Sequence, residues 1–142
     1  MTPEQQLQLM IDRYQLVMHR AEDAAGRKIY ACLAYNHNHR PEPGEETPPG
    51  RLFDAAMNDV RTAKRMVMSL RAQALPLSLG AIAIKDAWRE VRSRFTPAEL
   101  GRLDDLTEDT RVSIQPNGGT PAPRGAPRRS RRKGRQIARG AL

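Results

Sequence analysis

TPEQQLQLMIDRYQLVMHRAEDAAGRKIYACLAY, residues 2–35, decides the fold class. Thr2-Pro3-Glu4-Gln5 reads as a helix start: a hydroxyl cap, a proline where its missing N–H costs nothing, and a glutamine three residues after the cap that closes the box. A helix is expected from residue 3. Leu7, Met10, Ile11, Tyr14, Val17, Met18, Ala21, Ala25, Ile29, Cys32 and Leu33 then recur every three or four positions, a stripe wide enough to be buried. At ~1.5 Å per residue the helix would reach about 50 Å, more than a domain of this size covers with its own chain. It is expected either to break at Gly26 or to pack against another subunit.

Downstream, Asn36 to Gly50 carries Pro41, Pro43, Pro48 and Pro49 with two glycines, and reads as a loop. A second long helix is expected from about Arg51 to Leu75. Phe53, Ala56, Val60, Ala63, Val67, Leu70 and Ala74 form its seam, and Pro76 is its stop. A third helix follows from about Ser78, with Ala81, Ile84, Trp88, Val91 and Phe95 on one face. Thr96-Pro97-Ala98-Glu99 is a second capping box, opening a short fourth helix through Leu100, Leu103 and Leu106. Arg111-Val112-Ser113-Ile114 alternates over too few residues to choose between an edge strand and a frayed helix end. The expected fold is therefore all-α: an antiparallel hairpin of two long helices, two shorter helices, and a disordered or extended basic C-terminal arm. Met57, Met66 and Met68 crowd the second helix and are assigned to its core.

Charge divides the chain more sharply than hydrophobicity does. All of the net charge of +8 falls in residues 116–142, which contain eight basic and no acidic side chains, whereas residues 1–115 balance to zero. This places the domain boundary at 115/116: a helical body, then an arm. From Pro116 to Pro127 the arm is a Pro- and Gly-rich spacer without core-forming side chains. Arg128, Arg129, Arg131, Arg132, Lys133 and Arg135 then crowd eight positions, flanked by Arg124 and Arg139. Guanidinium groups fork onto phosphate oxygens, so these eight residues are the expected nucleic-acid contacts. The arm has no Phe, Tyr or Trp for stacking bases and no scaffold to hold a side chain against a base edge. The expected binding is to the backbone of nucleic acid, DNA foremost, without sequence preference.

Other chemistry finds little support. His37-Asn38-His39 is a chelating pair only on extended backbone, and it lacks a cysteine pair or a helical His-x-x-x-His; no metal or other cofactor is expected. No Gly-x-Ser-x-Gly elbow or Walker loop occurs, and Cys32 sits on an apolar face, so no catalytic residue is assigned and the chain is read as non-enzymatic. Ser93 to Thr96 has the length of a helix-turn-helix turn. The helix after it carries Asp104, Asp105, Glu108 and Asp109 where a recognition helix offers Arg, Asn or Gln. With Glu99 these residues form an acidic patch able to compete for the arm.

The single cysteine excludes an internal disulfide framework, and neither a signal peptide nor an apolar run of membrane-spanning length is present. A cytoplasmic, or intravirion, unexported protein without a membrane partner is expected, self-associating or part of a larger assembly. Size, helical layout and basic arm suggest a phage virion or DNA-packaging component, with no residue pattern behind that placement. The alternative is a structural adaptor whose arm docks on a protein partner, with Ile137 and Leu142 as apolar anchors.

Overall fold

The computed structural model describes residues 1–114. The linker from Pro116 and the basic residues Arg124 to Arg139 lie outside the described residues. Among the described residues the chain is all-helical, without strands: four helices and one five-residue helical turn. They are α1 (Pro3–His39), α2 (Pro48–Arg71), the turn α3 (Ala74–Ser78), α4 (Ile84–Arg92) and α5 (Pro97–Ile114). The chain divides into two units within α5, between Thr107 and Glu108.

Helix α1 begins as its residues dictate. Thr2 Oγ1 accepts from the Gln5 N–H at 3.1 Å, and Gln5 Oε1 accepts from the Thr2 N–H at 2.8 Å, closing the capping box. Gly26 does not break the helix. The thirty-seven residues of α1 run unbroken, about 55 Å, and stop at Arg40, whose left-handed backbone (φ 47°) turns its N–H onto the Asn36 carbonyl. The expected loop is thus shorter at both ends than composition implied.

The correction at its far end has a clear cause. Pro48 and Pro49 are the first two residues of α2, where a helix leaves N–H groups without intrahelical partners and proline loses nothing. Thr47 caps this start, accepting from the Gly50 N–H at 3.1 Å. A Cβ on Gly50 would stand 2.7 Å from Thr47 Oγ1, so the glycine is what lets the cap close.

Helix α2 ends at Arg71, four residues before the expected end at Leu75. Pro76 does not terminate it but lies third in α3, again at a position where its missing N–H is not needed. The expected third helix accordingly starts later, at Ile84, after the turn around Gly80. The second predicted box is present: Thr96 Oγ1 accepts from the Glu99 N–H at 3.1 Å and Glu99 Oε1 from the Thr96 N–H at 2.9 Å. Residues 111–114, ambiguous in sequence, continue α5 as helix.

Helices α1 and α2 pack closely. Leu7, Ile11, Tyr14 and Val17 of α1 meet Ala63, Met66, Val67 and Leu70 of α2, and Leu77, Val91, Phe95 and Leu103 complete the core. Burying each of the larger aliphatic, methionine and phenylalanine side chains among them stabilises the fold by about 1.5–3 kcal/mol. The methionines divide: Met66 is fully buried, whereas Met68 is exposed. The wide stripe of α1 divides too. It is buried as far as Ala25, but Ile29 and Leu33 stand in solvent and Cys32 is half-buried.

Arg65 joins α2 to the turn before α5. Its Nη1 donates to Glu99 Oε2 at 2.6 Å, its Nη2 to the Arg94 carbonyl at 3.1 Å, and its guanidinium lies 4.6 Å from the centre of the Phe95 ring. Among the described residues no helix is long and apolar enough to cross a membrane.

Candidate nucleic-acid interface

The eight sequence-predicted phosphate contacts, Arg124, Arg128, Arg129, Arg131, Arg132, Lys133, Arg135 and Arg139, lie outside the described residues. The described residues hold a second cationic surface that sequence reasoning missed. Helix α4 places Lys85, Trp88, Arg89 and Arg92 three or four positions apart, hence along one face. Its opposite face is anchored by the buried Ala87 and Val91. Trp88 is half-buried, its ring 6.3 Å from that of Tyr14 on α1 with the planes 28° apart, and the Arg92 guanidinium lies 5.8 Å from the Trp88 ring centre.

Two surface depressions adjoin at this point. One, of about 490 Å³, is walled by Lys85, Trp88, Arg89 and Arg92 with Ser93 and Leu100. The other, of about 270 Å³, is walled by Arg13, Tyr14, Lys85 and Trp88 with Met10 and Ile84. Lys85 and Trp88 are common to both. Arg89 Nη1 donates to Asp86 Oδ1 at 2.8 Å and is partly neutralised. Arg13, Lys85 and Arg92 form no ion pair among the described residues, so three exposed cations from two helices border one aromatic-floored cleft.

The electrostatics of Tyr14 register the same neighbourhood. Burial raises its hydroxyl above the ordinary tyrosine range and the Asp104 carboxylate adds to the rise, while Arg13 and Arg92 oppose it. Such a cleft can hold an anion and present an apolar ring beside it. The spacing Lys85-x-x-Trp88-Arg89-x-x-Arg92 was the available sequence signal; the approach of Arg13 had none.

The other sequence candidates resolve differently. His37 and His39 occupy the last turn of α1, not extended backbone, so residues two apart point to different sides. The His39 ring stacks on Tyr35 at 4.0 Å, with Nδ1 3.1 Å from the Tyr35 carbonyl oxygen. Among the described residues no three His, Cys, Asp or Glu side chains converge as a metal site. Glu99 is held by its own cap and by Arg65. Its carboxyl lies below the ordinary glutamate range, first because the Thr96 N–H donates to it and second because Arg65 does. It is therefore not a loose member of an acidic patch.

Ser93 to Thr96 does connect α4 to α5 as a short turn, yet cations outnumber carboxylates on α4 and carboxylates outnumber cations on α5, the reverse of a helix-turn-helix reader. Comparison with protein-family models, curated proteins and solved structures finds no match to this chain, so the functional reading rests on its own residues.

Proposed function

We propose that this chain is a non-enzymatic helical assembly protein whose arginine-rich C-terminal arm binds nucleic-acid phosphates without reading sequence. The observation that carries the proposal is the segregation of charge: eight basic and no acidic side chains in residues 116–142, beside a body of zero net charge. In this reading α1 and α2 form an antiparallel hairpin that serves as the assembly module, and the arm coats or condenses DNA held by that assembly. The cleft around Trp88 supports it by offering a second anion contact on the body through Arg13, Lys85 and Arg92. Because those cations sit on helices, they add a fixed point to what the arm grips loosely.

The test is fluorescence anisotropy with random-sequence duplex and single-stranded DNA across a salt series. Full-length protein is compared with full-length variants in which the eight arm cations, or Arg13, Lys85 and Arg92, are replaced by glutamine. Eight phosphate contacts would give a log–log salt slope of roughly −7, an upper bound for an arm that rarely makes every contact at once. Loss of most affinity and slope with the arm variant is the expected result. A smaller, uniform loss across sequences is expected with the cleft variant. Unchanged binding by the arm variant overturns the proposal and leaves the arm as a segment for a protein partner.

A further inference from the structure

The part of α1 beyond Ala25 carries an apolar face that no other described residues cover. On a helix, the stripe buried at Ala21 and Ala25 continues through Lys28, Cys32 and Tyr35, which are half-buried. Glu22, Gly26, Ile29, Tyr30, Leu33 and His37 lie about a quarter turn away, along a second stripe. Ile29 is 45% exposed, Tyr30 76% and Leu33 59%, three large apolar side chains in contiguous turns. An open groove of about 670 Å³ runs beside Gly26 from Glu22 to Leu33. A Cβ on Gly26 would meet nothing within 4 Å, so among the described residues no neighbour explains a glycine here, although glycine in mid-helix costs about 1 kcal/mol against alanine.

We infer that this stripe is a self-complementary dimer interface, occupied by the same stripe of a second copy running antiparallel. The order of residues makes the pairing reciprocal. With Ile29 facing the partner's Tyr30, Gly26 faces the partner's Leu33 and Glu22 faces the partner's His37. The two-fold axis repeats each contact, as an isologous interface requires. The Gly26 notch receives a leucine, the apolar residues meet at the axis, and an acid meets an imidazole at either end.

Charge separation along the stripe selects the orientation. Glu22 lies at one end and His37 at the other, so a parallel pairing would set like beside like, whereas the antiparallel one sets Glu22 beside the partner's His37. Within its own chain Glu22 Oε1 also lies 3.0 Å from His19 Nδ1, an exposed contact one turn back that the carboxylate would share with the partner's His37. The contact covers about four turns, roughly 24 Å of helix, so it belongs with small, weak interfaces. This inference rests on the assembly part of the reading above and not on DNA binding, so the anisotropy series and the experiment below fail independently.

Sedimentation equilibrium of the full-length protein, freed of nucleic acid and held at about 0.3 M salt to screen the arm, tests it. The wild type should show a reversible monomer–dimer equilibrium, and Leu33→Asp should weaken it at least tenfold. Gly26→Leu should weaken it similarly by filling the notch. Leucine favours an exposed helix, so that loss is not misfolding, and circular dichroism should show unchanged helicity. Glu22→Arg and His37→Glu should each weaken the dimer and the double variant should restore it. A monomer up to about 200 μM, or a dimer indifferent to Gly26→Leu, overturns the interface; failure of the double variant to restore association overturns the antiparallel pairing.

Discussion

Arg102 on α5 donates two parallel hydrogen bonds to Asp59 on α2, from Nε to Oδ1 at 2.9 Å and from Nη2 to Oδ2 at 2.7 Å. Asp59 is buried at 8% exposure, whereas the Arg102 side chain is half in solvent. The pair therefore serves α5 docking mainly by satisfying a carboxylate that is largely withdrawn from water. Arg102→Ala should destabilise the fold by about 1–3 kcal/mol, because it leaves that carboxylate unpaired. Arg102→Lys should recover less than half of the loss, since an ammonium cannot make the fork. Urea denaturation of the three proteins checks both.

The Thr96–Glu99 box sets an acid dependence. A carboxyl held below its ordinary range contributes stability that is present above the unfolded value of about 4.3 and is lost as pH falls through the folded value. Glu99→Gln should flatten the acid limb of stability as pH falls below the ordinary glutamate value, while leaving the helix start largely intact because glutamine also closes the box. Thr96→Ala should lose about 1 kcal/mol at neutral pH. Melting temperatures measured from pH 3 to 7 separate the two effects.

Tyr14 sets the opposite limb. Its hydroxyl is raised by burial, so the stability it supplies is complete below about pH 10 and is lost as pH rises through the folded value. Tyr14→Phe should match the wild type at pH 7 within about 0.5 kcal/mol and become the more stable protein as pH rises beyond the ordinary tyrosine value of about 10. Crossing of the two stability curves is the expected observation; parallel curves would show that the hydroxyl titrates as though exposed.

At the end of α1, Arg40 holds a left-handed backbone that costs a side-chain-bearing residue about 1 kcal/mol. Arg40→Gly should relieve it, net of the greater freedom of glycine in the unfolded chain, raising stability by about 0.5 kcal/mol. Thermal melts should show a rise of about 2 °C.

Gly50→Ala should act the other way. The new methyl would stand 2.7 Å from Thr47 Oγ1, driving that side chain out of its capping position at a cost of about 1 kcal/mol. The double change Thr47→Ala with Gly50→Ala should then cost no more than Thr47→Ala alone, which a double-mutant cycle by denaturation measures.

Local chemistry legible in the chain determined the helical class, both capping boxes, the stripe from Leu7 to Ala25 and the seam of α2 from Ala56 to Leu70, though not Ala74, which is exposed in α3, because each depends on residues within one or two turns. The same kind of reading assigned the arm its charge. It misplaced the ends of α2 and the start of α4, since Pro48, Pro49 and Pro76 look like breakers in composition but are harmless in a first turn, and which turn is first depends on where neighbouring helices pack. Only the tertiary structure decided that the stripe of α1 is buried to Ala25 and open from Ile29 to Leu33, that Arg13 approaches Lys85 and Arg92 around Trp88, and that Asp59 finds Arg102. These relationships join residues far apart in the chain, or depend on how far a partner helix reaches, and periodicity along one helix has no access to either.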